Sequence, residues 1–293
     1  MEIRKAERKK AKLRLGLSAP SGGGKTYSAL LLAFGLGGKV GLIDTEHGSG
    51  DLYAHLGDYD IISIEAPYSV SKYREAIKAF ETAGYATIII DSLSHAWAGD
   101  GGLLDKQGKL ADRGTNSFAA WRTITPEHNA LVDSMLQSQC HIIATMRSKQ
   151  EYVLEINDKG KQTPKKVGMA PVQREGMEYE FTVMLDVDMN HIASASKDRT
   201  SLFDGQFFKI EQKTGETLLK WLESGVTPTL SESAVADFLL TIKEAYSEES
   251  LKTAYTAAYK AAKAINDTAA LSSFEKEKDA RKSALTKTED VPQ

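Results

Sequence analysis

Short apolar runs alternate with segments of helical spacing along the first two thirds of the chain. The apolar runs predict strands over residues 12–17, 39–44, 60–64, 86–91, 141–145 and 181–187. Helical spacing predicts helices over residues 26–34, 70–83 and 127–139. Alternation of this kind predicts an α/β fold with a mostly parallel central sheet covered on both faces.

Two long segments interrupt the alternation and are expected to be loops. Residues 98–115 are rich in Gly, Asp and Lys, and residues 149–175 hold a turn signal at 157–160 between two short strand-like runs. Loops of this length inside a compact domain are usually functional.

The C-terminal part of the chain has a different composition: it is rich in alanine, and its apolar residues have helical spacing. Apolar stripes predict two or three helices, and Ser247 is the expected cap of one of them. The sequence therefore predicts a basic N-terminal arm over 1–12, an α/β domain over 13–226, a small helical domain over 227–285 and a disordered tail over 286–293.

Composition narrows the class of protein. The 293 residues are 41% hydrophobic and 26% charged, as in soluble globular proteins. The single cysteine, Cys140, excludes an internal disulfide and a cysteine-ligated zinc site, and no apolar run approaches a membrane span, so we expect a cytoplasmic protein with no membrane contact. The net charge of −3 disfavours a uniformly basic nucleic-acid binder. The charge is uneven, however, because residues 1–15 contain seven basic residues and only two acidic ones.

A glycine-rich segment between the first predicted strand and the first predicted helix fits the phosphate-binding P-loop. Its nucleotide-binding residues are Ser21, Gly22, Gly23, Gly24, Lys25 and Thr26. Lys25 is expected to reach the β- and γ-phosphates of ATP, and the Thr26 hydroxyl is expected to bind Mg²⁺. Ala19 stands where the pattern has its first glycine. The alternative interpretation is a glycine-rich surface turn.

A second oxygen group for holding the magnesium ion and its water shell is expected from Asp91, which ends the apolar run 87–91. The alternative role for Asp91 is a helix N-cap. The residue after it is Ser92 rather than a glutamate, so a carboxylate that handles the attacking water has to come from elsewhere in the chain.

The order of motifs resembles that of the RecA recombinases. The P-loop is followed by a strand ending in Asp44, Thr45, Glu46 and His47, an apolar strand ending in Asp-Ser, a long segment, a strand with a polar end and a second long segment, over about residues 12–205. The resemblance implies a RecA-like P-loop NTPase fold in which Glu46 orients the water. It also implies that Thr145 is the phosphate sensor, where the family usually has an amide side chain. The alternative for Glu46 is a surface carboxylate.

Residues 196–200 resemble the Lys-x-Arg element that RecA-like hexameric helicases insert into the nucleotide site of a neighbouring subunit. The resemblance gives Lys197 and Arg199 a catalytic role and implies a homo-oligomer. The alternative is a charged β-turn.

The second long segment also carries a lysine-rich stretch, Lys159, Lys161, Lys165 and Lys166, which is a candidate surface for single-stranded DNA. The alternative is a solvated hairpin.

The whole chain resembles phage-encoded RecA-like ATPases that act in recombination and single-strand annealing. This resemblance implies ATP and Mg²⁺ as ligands, single-stranded DNA as partner, and annealing or strand exchange in the host cytoplasm, with a single-strand-binding protein as a further candidate partner. The alternative function is a nucleotide-gated module that loads a replication or recombination partner with little turnover. A small-molecule phosphotransferase is the weaker third hypothesis, because no arginine-rich lid is evident.

Overall fold

Strands and helices alternate along residues 12–222 as the apolar pattern predicts. The strands are β1 (Arg14–Ala19), β2 (Val40–Asp44), β3 (Asp60–Ser63), β4 (Thr87–Asp91), β5 (His141–Ile156), β6 (Gln162–Pro171), β7 (Val183–Val187), β8 (Ala193–Asp198) and β9 (Phe207–Phe208). The helices are α1 (Lys25–Leu36), α2 (Val70–Thr82), α3 (Leu93–Ala98), α4 (Leu103–Asp112), α5 (Ser117–Leu136) and α6 (Gln212–Glu223). Two 3₁₀-helices lie at Ser49–Leu56 and Met177–Glu180.

The structure is a computed structural model that describes residues 5–156 and 162–289, with side chains described over 5–149 and 169–286. The chain forms two compact units. The α/β unit is Lys12–Leu222, and the helical unit combines the described parts of Met1–Ala11 and Glu223–Gln293.

The sheet of the α/β unit has the order β3-β2-β4-β5-β1-β7-β8-β9, and β6 pairs with the outer half of β5. The strands from β3 to β7 in that order are parallel, whereas β6, β8 and β9 are antiparallel to their neighbours. The prediction of an α/β fold with a mostly parallel sheet is therefore confirmed. Parallel strands place the carboxyl ends of β1, β2, β4 and β5 at one edge, where ligands bind in folds of this type.

Two apolar cores cover the two faces of the sheet. One face, with Ile88 and Ile90, packs against α2, α3 and α5, and the other, with Leu17 and Ile89, packs against α1 and α6. The inner strands are buried on both faces, so they are continuous apolar runs rather than alternating ones.

A pair of glycines sets the distance between α1 and α6. A Cβ atom on Gly215 would lie 2.2 Å from the Leu32 carbonyl oxygen, and one on Gly35 would lie 2.1 Å from the Gln212 carbonyl oxygen. Both glycines are thus required by close backbone approach rather than by an unusual dihedral angle.

Several elements differ from the sequence prediction. The expected loop over residues 98–115 contains α4, which has Gly108, a poor helix former, in its interior. The predicted helix over 127–139 starts ten residues earlier, as α5, and includes Pro126 in its interior. The predicted helix began directly after this proline, whose ring removes one helical hydrogen bond from the interior of α5.

The C-terminal end of α5 is fixed by Arg14. Its guanidinium donates hydrogen bonds to the carbonyl oxygens of Leu136, Ser138 and Cys140, and the side chain is buried. Burial lowers the pKa of Arg14 to about 10. Arg14 therefore satisfies carbonyl groups that the end of a helix leaves unpaired.

Within the segment 149–175, the outer half of β5 and the strand β6 are paired strands rather than an irregular loop. The outer half of β5 pairs with β6 from Ser148 opposite Pro171 to Ile156 opposite Gln162. Lys159 and Lys161 lie outside the described residues, and the side chains of Lys165 and Lys166 on β6 lie outside the described side chains.

Three helices make up most of the helical unit, as predicted: α7 (Glu232–Lys243), α8 (Glu248–Ala264) and α9 (Thr268–Glu289). The predicted cap at Ser247 is confirmed, because its Oγ accepts a hydrogen bond from the Ser250 N–H. Ile242, Ala258 and Phe274 lie at the centre of their core.

The N-terminal segment belongs to the same unit. Lys9 forms a parallel bridge with Val226: the Val226 N–H donates to the Arg8 carbonyl at 2.9 Å, and the Lys10 N–H donates to the Val226 carbonyl at 2.8 Å. Among the described residues, no helix is long and apolar enough to cross a membrane.

Candidate functional site

The P-loop joins β1 to α1 at the carboxyl edge of the sheet. Gly22 and Gly24 both have φ of +79°, which favours glycine and lets successive N–H groups turn toward one point. Ala19 is tolerated because Gly23 makes room for it, since a Cβ on Gly23 would lie 2.9 Å from the Ala19 methyl group. The loop therefore has the geometry of an anion cradle at the N-terminus of α1.

Lys25 lies over this cradle. Its Nζ donates to the carbonyl oxygens of Ala19 and Pro20 at 3.3 and 3.2 Å. Burial lowers the pKa of Lys25, and the negative charges of Asp91 and Glu46 oppose that shift. These backbone contacts are weak ones for an ammonium group, which is free to exchange them for a more strongly accepting phosphate oxygen.

Asp91 is fixed by two hydroxyl groups. Thr26 Oγ1 donates to one carboxylate oxygen at 2.5 Å, and Thr145 Oγ1 donates to the other at 2.5 Å. Asp91 and Thr145 are buried, and burial raises the pKa of Asp91, although both hydroxyl groups oppose that rise. The structure thus brings together three of the residues expected at the site.

The same pair of oxygens fits a magnesium ion. Thr26 and Asp91 present a hydroxyl and a carboxylate oxygen side by side next to the P-loop, and hard oxygen donors of this kind are those that Mg²⁺ prefers. A bound ion with its waters would need only these two protein ligands. Among the described residues, no group of three or more His, Cys, Asp or Glu side chains forms another metal site.

Glu46 follows β2 and lies on the same edge. The Glu46 N–H donates to Asp44 Oδ1 at 2.6 Å, which directs the chain away from the strand. Its carboxylate accepts from Ser92 Oγ at 3.1 Å and forms a two-point ion pair with Arg147, including Arg147 Nε to Oε1 at 3.0 Å. Burial raises the pKa of Glu46, but the hydrogen bonds and charge of Arg147 outweigh burial and lower the pKa overall.

Thr45 and His95 join the ends of β2 and β4 behind Glu46. The Ser92 N–H donates to Thr45 Oγ1 at 2.8 Å, and Thr45 Oγ1 lies 2.7 Å from His95 Nδ1. The His95 ring stacks on Tyr68 with centroids 4.8 Å apart. This network fixes Ser92 against Glu46 and leaves His95 with a structural role.

A cavity of about 530 Å³ opens beside the P-loop. It is a size that suits the ribose and base of a nucleotide. The turn between β7 and β8 closes one side, with His191 at a φ of +62° and its Nδ1 3.0 Å from where a Cβ on Gly24 would lie. The cavity is lined by Gly22, Gly24, Lys25, Thr26, Tyr27, Ser28, Tyr53, His191, Lys209 and Ile210.

Lys197 and Arg199 lie elsewhere in the α/β unit. Because β8 is antiparallel to β7, Asp198 is level with Val183 and so with Leu15 at the start of β1. Both side chains donate to the Tyr179 carbonyl oxygen, with Arg199 Nη2 at 3.2 Å. Ala19, the end of β1, lies four residues beyond Leu15, so the level of Asp198 is on the order of 13 Å from the P-loop edge along the strand direction.

Arg147 and His191 were missed by the sequence analysis. The signal for Arg147 was present, because residues two apart on a strand share a face and Arg147 lies two residues beyond Thr145 on β5. His191 comes from a turn more than 160 residues along the chain from the P-loop, and no local pattern marks it.

Comparison with known proteins gives one family. A family model described as an AAA domain matches residues 11–222, which is more than two thirds of the chain. A search of curated proteins found no match.

Proposed function

The chain belongs to the AAA-domain family, and from this premise we propose that it is a Mg²⁺-dependent ATPase that acts on single-stranded DNA as a homo-oligomer. The family and the parallel sheet give it the fold of a P-loop ATPase. The observation that carries the proposal is the meeting of Lys25, Thr26 and Asp91 on one glycine cradle.

The roles of the residues follow from their chemistry. Lys25 would neutralise charge on the β- and γ-phosphates, while Thr26 and Asp91 would hold the metal. Mg²⁺, when bound, supplies positive charge that stabilises the phosphoryl group during transfer. Glu46 would orient the attacking water and accept its proton.

Nucleotide binding is tested with Lys25→Ala. At a concentration one hundred times its dissociation constant, ATP should stabilise the wild type by about 2.7 kcal/mol and leave the variant unchanged. Thermal unfolding with and without ATP measures this, and Lys78→Ala, on an exposed lysine of α2, should respond like the wild type. Equal ATP shifts in Lys25→Ala and the wild type would remove the basis of the proposal.

DNA binding rests on the resemblance to RecA-like proteins and on the lysine-rich stretch of the sequence that contains Lys159, Lys161, Lys165 and Lys166. Reversing these four charges should weaken binding of single-stranded DNA. It should also reduce the slope of log affinity against log salt by roughly 0.7 for each lost phosphate contact. Reversal of Lys252, Lys260, Lys276 and Lys282 on α8 and α9 is a matched control that should leave the slope unchanged.

The setting that fits these properties is phage recombination in the host cytoplasm, with annealing or strand exchange as the outcome. A nucleotide-gated loading module is the second candidate function, because the ion pair with Arg147 occupies the carboxylate that would handle water. ATP turnover measured with and without single-stranded DNA distinguishes the two. An ATPase that acts on DNA turns over faster with DNA, whereas a loading module binds ATP and hydrolyses little in both conditions.

A further inference from the structure

The ion pair between Glu46 and Arg147 occupies the carboxylate on both oxygens. Arg147 Nε and Ser92 Oγ both donate to Oε1, and Arg147 Nη2 donates to Oε2. A carboxylate that accepts a proton from water needs a free, electron-rich lone pair directed at that water. In this arrangement three donors compete with water for the lone pairs of Glu46, so the pair makes the carboxylate less available as a proton acceptor.

The backbone of Arg147 is fixed while its side chain is accessible. The Arg147 N–H donates to Ser94 Oγ at 2.9 Å, and the Arg147 carbonyl accepts from the Val172 N–H at 2.6 Å. The side chain is nevertheless 48% exposed, against 20% for Glu46. Rotation about side-chain bonds can therefore move the guanidinium without disturbing the sheet.

Arg147, on β5, also lies beside the end of the neighbouring strand β1, which leads into the P-loop. It pairs in register with Ala19, the last residue of β1, and its charge acts on Lys25. The guanidinium is thus anchored beside the place where the terminal phosphate of a nucleotide held by Lys25 would lie. Guanidinium groups bind phosphates and carboxylates with the same two-point geometry, so a phosphoryl group can replace the carboxylate without leaving Arg147 unpaired.

We propose that Arg147 distinguishes nucleoside triphosphates from diphosphates by leaving Glu46 for the γ-phosphoryl oxygens. This inference rests on the proposed nucleotide-binding function. The triphosphate then does two things at once: it gains a two-point contact and it frees Glu46. A diphosphate has no γ-phosphoryl group, so it leaves the ion pair intact.

The test compares affinities rather than activity. Calorimetry with Mg²⁺ gives the dissociation constants of ADP and of a non-hydrolysable ATP analogue, and their ratio measures discrimination. Arg147→Ala should reduce the preference for the analogue about ten-fold or more, the value expected for a lost charged hydrogen bond. Lys149→Ala removes a charge two residues further along the same strand and should leave the ratio unchanged.

Glu46→Gln supplies the opposite result. The amide weakens the ion pair without removing Arg147, so the guanidinium is released more readily and the preference for the analogue should rise. Arg147→Lys keeps the charge but not the two-point geometry and should give an intermediate ratio.

The inference and the proposed function fail in different ways. An unchanged ratio in Arg147→Ala, or a ratio that falls in Glu46→Gln, overturns the role of Arg147 while nucleotide binding that depends on Lys25 stands. Absence of binding by the wild type, or binding that survives Lys25→Ala, overturns the proposed function together with the inference.

Discussion

At the scale of single residues, Asp91 has the most constrained surroundings, because both oxygens of its buried carboxylate accept hydroxyl hydrogen bonds. Asp91→Asn keeps the shape but replaces one oxygen by a donor, which faces a threonine hydroxyl and cannot bind a metal. We expect ADP binding to lose its dependence on Mg²⁺, with an affinity roughly ten-fold lower at saturating Mg²⁺.

Calorimetric titration with and without Mg²⁺ measures this dependence. Asp186→Asn, on a half-buried carboxyl of β7 whose pKa is raised by burial, is the matched control and should keep the Mg²⁺ dependence of the wild type. A variant Asp91→Asn that still requires Mg²⁺ would show that the metal is held elsewhere.

His141 gives a prediction about acid stability. Its Nδ1 accepts the Leu13 N–H at 3.0 Å, and burial lowers its pKa to about 3. The unfolded chain has a histidine pKa of about 6.5, so it binds more protons between pH 3 and 6.5 than the folded protein does. The contribution of neutral His141 is therefore fully present above pH 6.5 and is lost as pH falls toward 3.

His141→Asn isolates this contribution, since the amide oxygen can accept the Leu13 N–H and does not titrate. Between pH 4 and 6 the free energy of unfolding of the wild type should fall with decreasing pH more steeply than that of the variant, by about 1.4 kcal/mol per pH unit. Urea denaturation at several pH values measures both slopes. Parallel slopes would mean that His141 is protonated in the folded protein.

Prediction from sequence could name candidate residues whose pattern is local, and it missed contacts that depend on distant partners. The P-loop glycines, Lys25 and Thr26 are contiguous, and Asp91 ends a distinct apolar run, so each could be identified. The pairing of Glu46 with Arg147, 101 residues apart, depends on β2, β4 and β5 being neighbours in the sheet. Spacing along β5 places Arg147 on the same face as Thr145, but neither composition nor spacing identifies Glu46 as its partner.

At the scale of elements, the packing of α1 on α6 depends on backbone contact at Gly35 and Gly215. Gly215→Ala places a methyl group 2.2 Å from a carbonyl oxygen of α1, so the helices must separate. We expect a loss of about 2 kcal/mol or more in the free energy of unfolding, as for other overpacked cores.

Gly108→Ala is the matched control within α4, because no atom outside its chain neighbours and the backbone of its own helix lies within 4 Å of the added methyl group. Alanine has the higher helix propensity, so this variant should gain about 0.5–1 kcal/mol. Urea denaturation measures both variants. Changes of the same sign would show that helix propensity, not close contact, determines the effect at Gly215.

Element prediction was most accurate for the buried parallel strands and least accurate for polar helices and irregular segments. A continuous isoleucine run such as β4 is typical of a strand that is buried on both faces of a parallel sheet, so it is readily predicted. Helix α4 is stabilised by packing on α5, and its own sequence, with Gly108 in the middle, does not show it. Pro126 in α5 likewise has a weaker effect than its propensity suggests, because the surrounding core holds the helix.

At the scale of the whole molecule, the distance between Arg199 and the P-loop edge of its own chain makes the proposed role depend on assembly. Arg199→Ala should bind ATP normally and hydrolyse it on the order of 10³-fold more slowly, if the arginine acts on transition-state charge in a neighbouring site. Mixing it with Glu46→Gln should restore part of the activity, because each variant keeps the residue that the other lacks.

The rate of ATP hydrolysis is measured for mixtures of the two variants, after a measurement of particle size has shown that they assemble together. Lys213→Ala, on a charged residue of α6, is a control that should hydrolyse ATP like the wild type. Full activity of Arg199→Ala alone, or inactivity of mixed oligomers, would leave Arg199 and Lys197 with the structural contact to the Tyr179 carbonyl.

The bridge between Lys9 and Val226 also has a consequence for how the chain is made. A ribosome releases Arg8 long before its partner Ser224, 216 residues later, and at ordinary elongation rates the interval is about 10–40 s. During this time the whole of Lys12–Leu222 has emerged and can fold, whereas residues 8–10 have no strand partner. The helical unit is therefore the last part of a nascent chain to close, and a truncated product that folds its nucleotide site would still leave its N-terminal segment unpaired.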